Sequence, residues 1–274
     1  MKFSPIIYLI GMLLCILSTF MLIPAIVDLF YGGKNWPAFV GSSMATLFVG
    51  SILFLTNKGS ATEHLELRQA FLLTNSAWIS IALFGSLPFL LSDIDMSFVD
   101  AFFESTSGIT TTGATVIENL EAKSQGILIW RALLQWLGGV GIIVMALAVL
   151  PMLSIGGMQL FKTESYETPD KVVPKAASFA AGISIVYISL TIIWAFMLWG
   201  AGMSIFDSIA HAMTTLATGG YSTKTESLAA FNSSTIEIII IFGMLVGSLP
   251  FVHYLTLSKN GLKNLIKDDQ VKLF

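Results

Sequence analysis

The sequence predicts an all-α integral membrane fold with six transmembrane helices, and three observations lead there. The first is composition. Of 274 residues, 55% are hydrophobic types and only 11% are charged, with a mean hydropathy of +0.81. An ordinary soluble domain carries about 25% charged residues, so a water-soluble enzyme of this size could not cover its surface. The second is that the apolar residues are gathered into long uncharged runs. The third is that a short segment between two such runs occurs twice. The net charge of −3 and the lack of a basic block in the sequence argue against nucleic-acid binding. The single cysteine, Cys15, sits in an apolar run, which excludes a disulfide framework and a cysteine metal site.

A helix needs about 20 mostly apolar residues to cross the bilayer core. The uncharged runs are residues 3–27, 39–56, 69–92, 132–161, 176–206 and 238–258. Barrel strands would instead alternate apolar and polar residues over short segments. The first run follows Lys2 but is too long for a signal-peptide core and is followed by no small-residue cleavage site, so it reads as a retained helix. Pro24 is expected to kink or end it.

Orientation follows from the loop cations. With the N-terminus inside, ten face the cytoplasm: Lys2, Lys58, Arg68, Lys162, Lys171, Lys175, Lys259, Lys263, Lys267 and Lys272. Four face outward: Lys34, Lys123, Arg131 and Lys224. Both termini are therefore expected in the cytoplasm, with Trp36, Trp130 and Trp199 near the outer interface. The expected organisation is two N-terminal transmembrane helices (1–68), a first repeat (69–161), a cytoplasmic linker (162–175), a second repeat (176–258) and a cytoplasmic tail (259–274).

The duplicated segments, 97–115 and 204–222, align without gaps at an offset of 107. Ser97 meets Ser204, Asp100 meets Asp207, Thr111 meets Thr218, Gly113 meets Gly220 and Thr115 meets Ser222. Each begins with an apolar helix of about a dozen residues, too short to cross and suited to a re-entrant segment. Ser97 and Ser204 are placed to cap these helices, with Asp100 and Asp207 in the first turn at the positive dipole end. Each helix then runs into a Thr/Gly stretch. Irregular backbone at membrane depth persists only when buried in protein or lining a wet cavity. Threonine hydroxyls and backbone carbonyls can replace the water shell of a cation without a fixed charge that would trap it. Glycine lets carbonyls turn toward an axis, and the C-terminal end of a short helix adds partial negative charge.

The other polar features read more plainly. Glu104 and its counterpart His211 are expected to anchor the Thr/Gly loops by hydrogen bonding rather than to touch an ion. His64 reads as a solvated loop residue and His253 as packed near an inner helix end. Three scattered histidines without a His-x-x-x-His pair offer no transition-metal site. Gly138-Gly139-Val140-Gly141 lacks a preceding strand and reads as close helix packing, not a dinucleotide fingerprint. The sequence contains no Walker, zinc-protease or nucleophile-elbow motif. The chain is therefore not expected to be an enzyme, and no cofactor is implied. A driving force would be an ion gradient or the membrane potential.

At these residues the sequence closely resembles the membrane subunits of Trk-type bacterial potassium uptake systems, the TrkH/TrkG group of the Trk/Ktr/HKT superfamily. The resemblance is carried by residues 103–115 (FESTSGITTTGAT), 130–143 (WRALLQWLGGVGII) and 150–160 (LPMLSIGGMQL), with 217–222 (ATGGYS) matching a second filter. It implies two re-entrant pore-helix/filter loops in two span-pore-span repeats of an expected four, behind two extra N-terminal helices. It implies potassium as the transported substrate, in the bacterial inner membrane. The family's filter glycine falls on Gly113 and Gly220, and its potassium ligands fall on Thr111 and Thr112 and on Thr218 and Gly219, with Thr110 and Ala217 extending the strands. The family's membrane subunit is usually a homodimer controlled by a cytoplasmic nucleotide-binding subunit. The resemblance places the family's gating loop and pore arginine outside this chain, with Arg131 at the outer end of the fourth span. Two filter strands make half a ring, so the chain is expected to be a fragment of the full transporter. The alternatives are a half that pairs to rebuild four units, or a non-conducting subunit that regulates a full-length homologue.

Overall fold

The computed structural model describes residues 3–60, 67–153, 172–249, 251 and 254. His64, His253, linker residues 162–171 and the tail at 259–274 lie outside the described residues. All regular structure among the described residues is helical. The segments Ser4–Phe30, Trp36–Thr56, Arg68–Leu91 and Ala180–Gly200 are long and apolar enough to cross a bilayer. The chain is a multi-pass membrane protein. It divides into two compact units, residues 1–139 with 219–230, and residues 140–218 with 231–274.

In the first unit, α1 (Ser4–Phe20) and α2 (Leu22–Phe30) form one apolar rod interrupted at Met21. The expected break at Pro24 falls three residues earlier because a proline ring crowds the carbonyl four positions back, here that of Phe20. α2 also runs past the end of the uncharged run and carries Asp28, which is fully buried. α3 (Trp36–Thr56) crosses α1 closely: a Cβ on Gly11 would lie 2.9 Å from the Gly50 carbonyl oxygen, and one on Gly50 3.0 Å from that of Gly11. Small residues permit such backbone approach in a membrane, where helix packing rests on van der Waals contact and interhelical hydrogen bonds. The Ser43 hydroxyl adds one, to the Ser18 carbonyl at 2.7 Å.

α4 (Leu67–Gly85) and α5 (Leu87–Leu91) are divided at Ser86, two residues before Pro88. The break frees the Gly85 carbonyl, which accepts the Trp130 indole N–H at 3.0 Å. Both groups are buried, so the carbonyl is satisfied from within the protein.

Two short helices follow the spans: α6 (Phe98–Ile109) and, in the second unit, the helix at Ile205–Leu216. Each has 12 residues, at the offset of 107. Ser97 and Ser204 cap them as expected, each hydroxyl oxygen accepting the N–H of Asp100 at 3.2 Å or Asp207 at 3.0 Å. The same hydroxyls donate to those carboxylates at 2.6 and 2.7 Å.

α7 (Gln125–Leu153) starts seven residues before the uncharged run at 132. Arg131 bounded that run, yet its side chain is buried inside the unit. The N-terminus of α7 is held by Asp28: one carboxylate oxygen accepts the Gly126 N–H at 3.2 Å, the other the Asn35 N–H at 2.7 Å. The Asn35 side chain donates to Asp93 at 2.7 Å and to Ser124 at 3.2 Å, and accepts the Asp93 N–H at 3.0 Å. The N-terminal helices are thus tied by charge-assisted hydrogen bonds to the loops of the first repeat.

The second unit contains α8 (Val172–Gly200), α9 (Ile205–Leu216) and α10 (Ser234–Ser248). α8 takes in the last four positions of the expected linker. α10 begins four residues before the run at 238, its first turn carrying Glu237, and ends where Leu249 turns extended ahead of Pro250. Trp194 of α8 donates its indole N–H to the Ile239 carbonyl at 2.9 Å.

Each short helix ends against a glycine of the following long helix. A Cβ on Gly138 would collide with the Ile109 carbonyl oxygen, and one on Gly247 would lie 2.6 Å from that of Leu216. Ile109 and Leu216 are repeat partners, while 138 and 247 differ by 109 because the loop after the second Thr/Gly stretch is two residues longer. One layer further in, the sizes are exchanged. Gly108 of α6 faces Leu134 of α7, whereas Thr215 of α9 faces Gly243 of α10.

Candidate functional site: the two filter segments

The Thr/Gly stretches leave their helices by the same route. After α6, the Thr110 N–H bonds the Thr106 carbonyl at 2.9 Å, Thr111 N–H bonds Gly108 at 3.0 Å and Thr112 N–H bonds Ser107 at 2.9 Å. After α9, Ala217 N–H bonds Met213 at 3.1 Å and Thr218 N–H bonds Thr215 at 3.0 Å. Thr111 and Thr218 take φ of +56° and +51°, and Gly113 and Gly220 take +80° and +81°. A β-branched residue in the left-handed region is disfavoured and persists only when its surroundings impose it. The same two positions in both copies therefore mark a constrained course rather than a slack loop. Thr110, Thr112, Thr218 and Gly220 are exposed, Thr111 and Gly113 half-buried, and Gly219 buried. The Thr110 and Thr112 hydroxyls pair at 2.8 Å, and the Thr218 hydroxyl donates to the Ala217 carbonyl at 2.8 Å.

Gly113 and Gly219 meet within the first unit. A Cβ at Gly113 would collide with the Gly219 carbonyl oxygen, so both the positive φ and the close approach require glycine there. Thr218 closes the chain segment of the second unit.

Behind the strands lies a buried polar network that links them. Glu104 and Arg131, with side chains 0% and 1% exposed, pair at 2.7 Å. Glu104 also accepts the Thr115 hydroxyl at 2.9 and 3.0 Å and the Val116 N–H at 3.0 Å, gripping the first strand just past its glycine. Arg131 donates a second hydrogen bond to the Ser222 carbonyl at 2.9 Å, and its guanidinium lies 4.1 Å from the centre of the Tyr221 ring. The Tyr221 hydroxyl is within donating distance of the carbonyls of Glu104, at 2.9 Å, and Ala114, at 3.2 Å. Gln135 spans two residues of the second strand, donating to the Gly219 carbonyl at 2.7 Å and accepting the Tyr221 N–H at 3.1 Å. Further out, the Glu121 carboxylate accepts the Thr225 hydroxyl at 2.6 Å and N–H at 2.9 Å. Those bonds hold its carboxyl below the usual range.

Glu104 therefore anchors the end of the first Thr/Gly stretch. His211 contacts its own helix, at the Asp207 carbonyl 2.8 Å away, and packs edge-on against Phe231. Sequence reading did not single out Gln135 and Tyr221, and it left Arg131 at a span end. Arg131 and Gln135 are four residues apart, on one helical face. Polar side chains so spaced within an apolar helix point into the protein, which is the signal that could have found them.

Residues 36–272 match the family model TrkH, described as a cation transport protein. The chain is 40% identical over 280 residues to the Trk system potassium uptake protein TrkH of Vibrio parahaemolyticus, covering 100% of this chain and 58% of that protein. It is 34% identical over 271 residues to the Trk system potassium uptake protein TrkG of Escherichia coli K12, covering 97% and 56%. The crystal structure of the potassium transporter TrkH from Vibrio parahaemolyticus superposes with a TM-score of 0.89 at 38% identity, over 99% of this chain and 56% of that one. The chain thus spans 58% or less of the length of these relatives. On the family match, and on a likeness that extends along the whole chain, it belongs to the TrkH family of cation transport proteins, a family of transporters rather than enzymes.

Proposed function

We propose that the chain supplies two of four filter strands to a potassium uptake pathway in the cytoplasmic membrane. Thr110, Thr111, Thr112 and Gly113 form one strand and Thr218, Gly219 and Gly220 the other. The observation that carries this is the shared backbone course of the two segments, with positive φ at the same Thr and Gly positions 107 residues apart. Neutral oxygens on a constrained backbone select a dehydrated cation without trapping it. The C-terminal ends of α6 and α9 add partial negative charge. The Asp100 and Asp207 carboxylates accept the hydroxyls of the capping serines, which suits a structural role at the helix entrances. The names of the relatives support potassium as substrate. In this reading both termini are cytoplasmic, the transporter is a homodimer, and a nucleotide-binding subunit controls it from the cytoplasm.

The test is a chimera in which this chain replaces the matching part of the Vibrio parahaemolyticus relative, produced in cells lacking their own potassium uptake. Growth at low potassium is expected, and Gly113→Ser should abolish its preference for potassium over sodium. Unchanged selectivity in Gly113→Ser would remove the filter assignment. A chimera that reaches the membrane, binds its partner and carries no potassium would favour the regulatory role instead.

A further inference from the structure

The Gly219 carbonyl is turned into the protein. Gln135 is fully buried, and its amide uses both ends on the second strand, donating to Gly219 at 2.7 Å and accepting from Tyr221 at 3.1 Å. Gly219 is buried between Thr218 and Gly220, which are both exposed. Its oxygen lies where a Cβ on Gly113 would stand, so Gly113 crowds it while Gln135 engages it. Gln135 belongs to the helix that follows the first strand, yet it holds the second. Thr112, the partner of Gly219, donates its N–H to Ser107 and pairs its hydroxyl with Thr110.

An oxygen stabilises a dehydrated cation only if it faces the ion. We infer that Gln135 is a specificity-determining positioning residue, whose amide holds the Gly219 carbonyl out of the ion path. Thr218 and Gly220 then supply the second strand's oxygens and Gly219 does not. This rests on the filter reading proposed above.

The experiment uses the same chimera in two ways. In cells, Gln135→Met removes both hydrogen bonds while keeping an unbranched side chain of similar length. It is expected to lower the potassium-over-sodium uptake ratio by about fivefold, the fold-change of one neutral hydrogen bond, with the amount of protein in the membrane unchanged. In lipid bilayers, the assigned carbonyl carbon resonances of the unmutated protein are followed as potassium is exchanged for sodium. Those of Thr218 and Gly220 should move and that of Gly219 should not, and in Gln135→Met the Gly219 resonance should become responsive. A Gly219 resonance in the unmutated protein that responds as strongly as its neighbours overturns the inference alone. No response at Thr111, Gly113, Thr218 or Gly220 overturns the filter reading and the inference with it. The measurement on unmutated protein decides even if Gln135→Met fails to fold.

Discussion

Arg131→Met is expected to be among the most damaging single substitutions outside the two Thr/Gly stretches. It leaves Glu104 with its two remaining donors, the Thr115 hydroxyl and the Val116 N–H. The carboxylate keeps its burial and loses its countercharge. Removing one partner of a buried pair costs about 3–5 kcal/mol, mostly as the penalty on the charge left behind. The lost stacking on Tyr221 adds roughly 0.5–2 kcal/mol. Against a folding stability of about 5–15 kcal/mol, that is a large fraction. Replacing both partners at once, as Glu104→Gln with Arg131→Met, removes the charges together and should recover most of the loss. The assay is equilibrium unfolding of the full chain in mixed detergent, followed by tryptophan fluorescence, through the double-mutant cycle. An interaction energy of about 2–3 kcal/mol is expected. A neutral interhelical hydrogen bond in a membrane protein averages about 0.6 kcal/mol. A coupling no larger than that, or an Arg131→Met protein as stable as the original, would refute the reasoning.

Asp28→Ala strips the acceptor from the N–H groups of Asn35 and Gly126. At about 1–3 kcal/mol for each buried donor left unpaired, it should loosen the first helices from α7, seen as faster proteolysis in the loop at residues 31–35. Gly138→Ala and Gly247→Ala each drive a methyl into the backbone carbonyl that ends a short helix. Both should lower folded yield, since a carbonyl in a helix cannot swing aside as a side-chain tip can. Glu121 gives a pH effect of known sign. The hydrogen bonds from Thr225 hold its carboxyl below the usual carboxylate range in the folded protein, so its hold on Thr225 is complete above that range and is lost as pH falls through the lower folded pKa. The Thr225 amide resonance should shift over that acid window, and in Glu121→Gln it should not.

Much of this architecture was legible because membrane depth imposes simple rules. The first three uncharged runs located their helical segments to within about three residues at each end, and the serine caps and gapless offset pointed to two short helices of equal length. The errors have one cause. Hydropathy treats a charge as a boundary, yet Asp28 and Arg131 lie inside helices because distant residues neutralise or bond them. Glu104 lies 27 positions from Arg131, and Gly126 lies 98 positions from Asp28. No local window contains both members of such a pair. In the two Thr/Gly stretches, the repeat alignment paired Thr111 with Thr218, and the structure gives both a positive φ. It was silent on the Gln135 clamp, because that residue lies outside the duplicated segments.

The exchanged sizes at the base of the two short helices bear on how the chain assembles. Gly108 meets Leu134 in one repeat, and Thr215 meets Gly243 in the other. Were α6 to dock on α10, two glycines would face each other across an empty gap. Were α9 to dock on α7, a threonine would be driven against a leucine. Two repeats that each pair a 12-residue helix with a following helix could otherwise trade partners. This steric key makes each short helix fit the helix that follows it, so the duplicated architecture retains a unique way to come together.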